Sequence, residues 1–195
     1  MWVYSTMPHL LAITGLDRSG KSTMRTLLQR HIPNAVAVEF SQYVIGWSGC
    51  ATHPGTQTDV AADRLLESSS AWRFLKGVRD RHPTPTENTT RFVIMSGVRH
   101  FSLYEWVQDI FDDVTTIAIH APMERRQEWM IEKGLAAGIT PSRVEMTLGV
   151  KDRIHKDLGI SEILEKADYV VRNDRTLDSL ENKASQISGE IIGRL

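Results

Sequence analysis

The sequence contains a single cysteine, Cys50, among its 195 residues. One cysteine forms no internal disulfide and no cysteine-based zinc site, so both kinds of structural cross-link are excluded. The sequence also lacks an apolar run near the ~20 residues that a membrane-spanning helix needs. The apolar stretch at 10–13 is too short for a secretory signal, and we therefore expect a cytoplasmic protein without a membrane partner.

An excess of positive charge is missing as well. The 23 Lys and Arg residues are balanced by 24 Asp and Glu residues. No broad basic surface is therefore expected for an extended nucleic acid, and a small molecule is the expected partner. The apolar share of 41% is ordinary for a globular chain, and one domain over residues 1–195 is the default expectation.

Residues 15–22 read Gly-Leu-Asp-Arg-Ser-Gly-Lys-Ser and match the phosphate-binding loop pattern Gly-x-x-x-x-Gly-Lys-Ser, called the P-loop below. An apolar segment at 9–14 precedes the loop and has the length of a buried strand. The segment at 22–30 follows it with the apolar spacing of a helix. This strand, loop and helix order is the context that the motif requires, so the sequence predicts binding of a nucleoside triphosphate.

Each residue type in the P-loop has a physical reason. Gly15 and Gly20 allow tight turns, so that backbone N–H groups and the helix N-terminus surround a phosphate. Lys21 adds a full positive charge near the β- and γ-phosphates, and the Ser22 hydroxyl is placed to bind Mg²⁺. The predicted ATP-contacting residues of the loop are Gly15, Ser19, Gly20, Lys21, Ser22 and Thr23.

Strand and helix patterns alternate along the chain, which is typical of a parallel sheet covered by helices. Strands are predicted at 9–14, 35–40, 91–96, 114–120 and 168–171, and further helices at 59–79, 102–111 and 177–192. A flexible loop is expected at 48–57. The segment 134–158 interrupts the alternation, and either a lid that closes over phosphates or a solvated helical hairpin explains it.

The sequence resembles the nucleoside-monophosphate kinase group of P-loop kinases over nearly its whole length. Residues 15–23 look like the loop of thymidylate kinases that carry an arginine inside it. The later chain is more similar to phage deoxynucleoside-monophosphate kinases, dephospho-coenzyme A kinases and an archaeal adenylate-kinase-like group. The segments that carry this likeness are Ser-Gly-Val-Arg at 96–99, Lys-Asp-Arg at 151–153 and the strand end at 167–177.

This resemblance implies a three-layer α/β/α P-loop NTPase fold with a five-stranded parallel sheet and a small helical lid at 134–158. It implies an ATP- and Mg²⁺-dependent phosphotransferase whose acceptor is a nucleoside or deoxynucleoside monophosphate. The acceptor region is expected within residues 40–80. A homodimer through the apolar face and tryptophans of the 59–79 helix is compatible with the sequence, which leaves the oligomeric state open.

Lys21 is expected to be catalytic as well as ATP-contacting, and the resemblance suggests catalytic roles for Arg18, Arg99 and Asp17. Arg18 is expected to stabilise charge on the transferred phosphoryl group, with an exposed turn arginine as the alternative. Arg99 is expected to grip the acceptor phosphate, and a structural salt bridge is its alternative. Asp17 is expected to orient Mg²⁺ or the acceptor phosphate, or else to form a turn.

Further positions match less specific parts of the family pattern. Arg125 and Arg153 correspond to phosphate-contacting arginines at the lid, whereas Arg126 is expected to be a solvated neighbour. Asn173 is expected beside the adenine, with a strand-ending turn residue as the alternative. Phe40 and Trp47 follow the second strand and are candidates for stacking on an acceptor base.

One departure from the family pattern raises two alternative functions. Ser96 stands where related kinases often place an acidic residue near Mg²⁺, so Asp17 or Asp152 would have to compensate. One alternative is a kinase of another small metabolite, such as dephospho-coenzyme A, with Glu39 or Asp63 as a nominal general base. The other is a nucleotide-binding regulatory or structural subunit without turnover.

Overall fold

The structure is a computed structural model that describes residues 8–48, 64–81, 92–132 and 138–194. Its strands are β1 (His9–Thr14), β2 (Val36–Glu39), β3 (Phe92–Ser96), β4 (Val114–His120) and β5 (Tyr169–Arg172). Its helices are α1 (Lys21–His31), α2 (Phe40–Ser48), α3 (Ser70–Arg81), α4 (Phe101–Ile110), α5 (Met123–Glu132), α6 (Pro141–Asp157), α7 (Ile160–Glu165) and α8 (Leu177–Ile192). Within the described ranges, no helix combines the length and apolar character that crossing a membrane requires.

The five strands form one parallel sheet in the order β2-β3-β1-β4-β5. The central strand β1 is buried on both faces because its side chains alternate between two apolar clusters. Leu10 and Ala12 belong to the cluster that includes α3 and α4, and Leu11 and Ile13 to the cluster that includes α1 and α8. The predicted three-layer α/β/α fold with five parallel strands is thus confirmed.

This topology brings the loops that follow the strands to one edge. The carboxyl ends of parallel strands point the same way, and ligands of such sheets bind in the crevice outside those ends. The P-loop follows the central strand, the junction between β2 and α2 lies on one flank, and the residues after β5 lie on the other. The fold therefore places three separate chain segments around one crevice.

The predicted second strand, at 35–40, is longer than the observed β2. Phe40 begins α2 instead of ending β2. Phe40 and Val44 lie one helical turn apart, and both belong to the apolar core. The sequence pattern at 35–40 did not reveal this helix because it depends on burial against α3. Most of the expected flexible loop at 48–57 lies outside the described residues.

The predicted helix at 59–79 is interrupted in its described part. Residues 64–67 are helical, and α3 begins again at Ser70. The Ser68 hydroxyl donates to the Leu65 carbonyl at 2.8 Å and accepts from the Ser70 N–H at 3.3 Å. A serine that bonds locally in this way competes with the helix and favours a new N-terminus, which explains the break.

The predicted lid segment is helical where it is described. α6 occupies most of it, and its Val144 and Leu148 pack against Met123 and Met130 of α5. Residues 134–137 lie outside the described part of the chain. The small cluster between α5 and α6 places one side of α6 next to the P-loop.

Candidate active site

The P-loop backbone has the shape that its glycines predict. Gly15 and Gly20 have φ angles of 142° and 103°, in a region that side chains rarely allow. A Cβ atom on Gly15 would lie 2.3 Å from the Ile119 carbonyl oxygen, and one on Gly20 would lie 2.3 Å from Asn173 Nδ2. Gly15 therefore requires glycine for space and for conformation, and Gly20 requires it for conformation, since its close contact is with the end of a side chain.

Lys21 begins α1 and is only 7% exposed. Its ammonium group donates to the Leu16 carbonyl at 2.6 Å, within the loop itself. Burial lowers the pKa of Lys21 well below its usual range, and the positive charge of Arg99 lowers it further. A phosphate bound beside this group would supply the negative charge that stabilises its protonated form. Ser22 and Thr23 follow directly and line the same pocket.

Asp17 lies at the centre of a group of cations. Its Oδ2 is 2.9 Å from Lys151 Nζ and 4.0 Å from Arg18 Nε, and its Oδ1 is 3.8 Å from Arg99 Nη2. Burial by itself raises the pKa of this carboxyl, but the charges of Lys151, Arg99 and Lys21 outweigh it. The pKa of Asp17 therefore lies well below its usual range, and the group is a carboxylate at neutral pH.

Arg18 and Arg99 differ in how they are held. Arg18 occupies the left-handed region with φ 61° and has an exposed side chain, and it lines the pocket. Arg99 is half-buried just after β3, where its Nη1 lies 3.3 Å from His155 Nε2 of α6. Arg99 thus connects the end of the sheet to both the P-loop and α6.

Arg126 is not the solvated neighbour that was expected. It is 2% exposed, and it binds Asp152 of α6 through two contacts of 2.8 and 2.6 Å. Its Nη1 also donates to the Asp17 backbone carbonyl at 3.2 Å. The arginine is buried because α6 covers it, and this neighbour in space is not visible from the sequence.

Ser96 is fully buried at the end of β3, directly opposite Glu39 of β2 in the strand register. Arg25 of α1 donates to the Glu39 carboxylate at 2.6 Å and to the Ser96 hydroxyl at 3.3 Å. Ser41 donates to the other oxygen of Glu39 at 3.0 Å. Glu39 on the adjacent strand therefore shares Arg25 with the serine position, and its carboxylate is engaged by Arg25 and Ser41, as that of Asp152 is by Arg126.

Residues after β5 form the opposite flank of the site. Asn173 is 8% exposed, and its amide donates to the Ser19 backbone carbonyl at 2.9 Å. This bond braces the P-loop, and Asn173 also lines the pocket. Arg125 stacks over Trp129 at 5.7 Å and donates to the Arg175 carbonyl at 3.4 Å. Trp129 and Arg175 line the pocket, so Arg125 lies at its border.

Two predicted side chains lie away from the site. Phe40 is only 3% exposed, because it packs against Tyr43 and Phe74, so the expectation that it stacks on an acceptor base is wrong. Arg153 is exposed on α6 and is not among the residues that line the pocket. The side chain of Trp47 and residue Asp63 lie outside the described part of the structure.

The pocket has a volume of about 640 Å³, which is in the range of small-molecule sites. It is lined by P-loop residues together with the β2–α2 junction, Arg99, Lys151 and the segment after β5. In the described ranges, no three His, Cys, Asp or Glu side chains are grouped as a metal site. The basic side chains of the pocket lining, Arg18, Lys21, Arg99, Lys151 and Arg175, outnumber its two carboxylates, Asp17 and Glu39.

Comparison with known protein sequences gives relatives that match this chain over nearly their whole length. No protein-family model matches the chain. It is 26% identical over 190 residues to a UPF0200 protein of Sulfurisphaera tokodaii, covering 94% of this chain and 97% of the relative. A UPF0200 protein of Saccharolobus solfataricus is 26% identical over 186 residues, with 94% of each chain covered.

Several of the similar solved structures are kinases. Shikimate kinase from Bacteroides thetaiotaomicron has a TM-score of 0.58 at 12% identity, covering 96% of this chain and 99% of that one. Thymidylate kinase from Candida albicans has a TM-score of 0.55 at 14% identity, covering 96% and 94%. The chain has the P-loop kinase fold. At these identities the likeness extends to the architecture alone.

Within this P-loop kinase fold, sequence reasoning missed two pocket residues, Lys151 and Glu39, as members of the central site. Lys151 was noted only as part of the lid pattern, and Glu39 only as a nominal base. The helical phase of α6 was a usable signal for Lys151, since its apolar residues Val144 and Leu148 fix the buried side. No comparable signal existed for Glu39, because its approach to Ser96 depends on strand order.

Proposed function

We propose that this protein transfers the γ-phosphoryl group of ATP to a nucleoside or deoxynucleoside monophosphate. The observation that carries the proposal is one pocket, formed by described residues, that joins the P-loop to both flanks of the sheet edge. Asn173 and Arg175 lie on one flank, and Glu39 lies on the other. This arrangement has room for a donor and an acceptor with the P-loop between them.

The donor would bind through the P-loop. Backbone N–H groups and the positive end of α1 would surround the phosphates, and Lys21 would place its charge beside the β- and γ-phosphates. The base would lie near Asn173, Trp129 and Leu177, which give that flank both polar and apolar surface. A protein that consumes ATP would work in the cytoplasm or another compartment that supplies it.

The residues present fit magnesium. The Ser22 hydroxyl at the start of α1 and the carboxylates of Asp17 and Glu39 line the same pocket. Oxygen ligands of this kind suit a hard cation that keeps several waters and binds phosphate. Ser22 would hold the ion, which would neutralise phosphate charge during transfer. The carboxylates would orient its bound water.

Phosphoryl transfer depends mainly on positioning and on charge stabilisation, so few reactive groups are required. Arg99 would hold the acceptor phosphate, since it lies between the P-loop and α6. Arg18 would stabilise the transferred group from within the P-loop. α6 would act as the lid, with Arg125 at its entrance.

The test is ADP release from Mg²⁺-ATP by purified protein with each common ribo- and deoxynucleoside monophosphate. We expect one acceptor to stimulate release strongly, and Lys21→Met to lower that rate by about 10²–10³-fold. Arg30→Met is the matched control, because Arg30 is exposed at the other end of α1. ATP binding without stimulation by any acceptor would contradict the proposal and favour a nucleotide-binding subunit.

A kinase of a hydroxyl-bearing metabolite is a second candidate, favoured by one observation. Glu39 faces the pocket together with Ser41 and Gln42, so this flank offers a carboxylate to an acceptor hydroxyl. Dephospho-coenzyme A belongs in the same acceptor screen for that reason. Stimulation by it alone, lost in Glu39→Gln, would select this candidate over the first.

A further inference from the structure

Lys151 occupies the place that was predicted for a lid arginine. It lies on α6, is part of the pocket lining and is about 20% exposed along its side chain. Its ammonium group is 2.9 Å from the Asp17 carboxylate of the P-loop. Lys151 is therefore a lid cation that reaches the phosphate-binding loop in this structure.

The phase of α6 explains why Lys151, and not Arg153, faces the pocket. Successive helical residues are about 100° apart around the axis, so residues 151 and 153 point in nearly opposite directions. The buried side of the helix is formed by Val144, Leu148, Asp152 and His155. Lys151 lies at the border of that side toward the P-loop, and Arg153 lies on the solvent-exposed side of the helix.

A buried ion pair fixes the position of Lys151. The adjacent residue, Asp152, is bound through both oxygens by Arg126, which also donates to the backbone carbonyl of Asp17. Two consecutive residues of α6 are thus tied to one residue of the P-loop. Rotation of α6 that moves Lys151 away from the loop would break this buried pair.

The local charges leave a place for an anion. Lys21, Arg99 and Lys151 all act on Asp17, and the four groups line one pocket. The pocket lining carries two carboxylates, Asp17 and Glu39, and a larger number of basic side chains, which are Arg18, Lys21, Arg99, Lys151 and Arg175, so its net charge is positive. A polyphosphate supplies several negative charges at this position.

We propose that Lys151 is a phosphate-binding residue of this site, and that Asp17 holds its ammonium group beside the P-loop until a phosphate displaces the carboxylate. The proposal rests on the proposed function for the chemistry of the ligand, a nucleoside triphosphate. It adds the role of Lys151 and the competition between Asp17 and phosphate for its ammonium group, neither of which the lid pattern contains.

The first experiment measures the dissociation constants of ATP and of inorganic tripolyphosphate by calorimetry, with EDTA present to exclude metals. We expect Lys151→Met to weaken both at least about tenfold, which is the loss expected for one charge-assisted bond. Lys151→Arg should retain most of the affinity. Lys156→Met is the matched control, since Lys156 is exposed on the same helix, and it should bind like the wild type.

Asp17→Asn tests the competition. Removing the carboxylate frees the ammonium group for phosphate, so tripolyphosphate should bind several-fold more tightly. The gain should be smaller when Lys151→Met is also present. Weaker binding of tripolyphosphate by Asp17→Asn would overturn the competition, and unchanged affinity in Lys151→Met would overturn the role of Lys151.

These outcomes are separate from those of the kinase assay. A wild-type protein that binds ATP through Lys151 but is stimulated by no acceptor leaves the present inference in place and removes the proposed function. An active kinase in which Lys151→Met and Lys156→Met bind ATP equally well supports the proposed function and overturns the present inference. Thermal unfolding of each variant shows whether lost affinity comes from lost structure, and Lys151→Arg decides the case if Lys151→Met unfolds.

Discussion

Arg126 of α5 and Asp152 of α6 form a buried ion pair with two contacts, of 2.8 and 2.6 Å. Both residues are less than 10% exposed. A pair of this kind costs little when intact and much when one partner is removed, because the other charge is left buried and unpaired. The pair is therefore a buried polar link between α5 and α6.

Removal of one partner should destabilise the protein. We expect Arg126→Met to lower the free energy of unfolding by about 3–5 kcal/mol. Urea denaturation followed by circular dichroism measures this change. Arg143→Met, at an exposed position of α6, is the control and should change it by less than about 0.5 kcal/mol. If the double variant Arg126→Met/Asp152→Leu is no more stable than Arg126→Met alone, the loss of stability does not come from an unpaired charge on Asp152.

Glu39 should matter for the magnesium dependence of the proposed phosphoryl transfer. It lies opposite Ser96 in the strand register and lines the pocket, where Arg25 and Ser41 hold its carboxylate. We expect Glu39→Gln to lower kcat about 10–100-fold and to raise the Mg²⁺ concentration needed for half-maximal rate. Glu105→Gln, exposed on α4, should leave both unchanged. An unchanged Mg²⁺ requirement in Glu39→Gln would place the carboxylate outside the metal's surroundings.

Gly20→Ala should abolish nucleotide binding because of the backbone conformation at this position, and should also destabilise the fold through a contact that a second substitution can relieve. The added Cβ atom would lie 2.3 Å from the Asn173 amide, in a backbone conformation with φ 103°. Shortening the neighbour in Gly20→Ala/Asn173→Ala should restore folding in part, and the ATP affinity measured by calorimetry should stay low. Gly189→Ala is the control, because the added Cβ atom would meet no atom within 4 Å outside its own stretch of helix. Helix propensity predicts about 0.5–1 kcal/mol of stabilisation. Full recovery of binding in the double variant would show that the conformation of Gly20 is not required.

Asp17 should make stability depend on pH in the acidic range. Its pKa is lower in the folded protein than in the unfolded chain, so ionisation favours folding. This contribution is complete above the unfolded value of about 3.9 and is lost as pH falls toward the folded value. Urea denaturation at a series of pH values measures this. The free energies of unfolding of the wild type and of Asp17→Asn should differ most near neutrality and should converge below pH ~4. If the difference between the two free energies of unfolding stays constant across that pH range, the pKa of Asp17 is the same in the folded and unfolded protein.

The sequence by itself determined the P-loop and the main architecture. The spacing of Gly15, Gly20, Lys21 and Ser22 follows from local backbone geometry, and so does the strand and helix that flank the loop. The parallel sheet follows from apolar strands that alternate with helical patterns, since long crossovers favour parallel pairing. These features depend on neighbours along the chain, which one sequence contains.

Only the tertiary structure decided which charged residues meet. Arg126 looked solvated, and Glu39 and Ser96 lie 57 positions apart along the chain yet share one strand register. Lys151 reaches Asp17 across 134 positions because α6 packs on α5 beside the P-loop. Charge pairing depends on distance and burial, and both are set by packing between elements that the sequence pattern does not order in space.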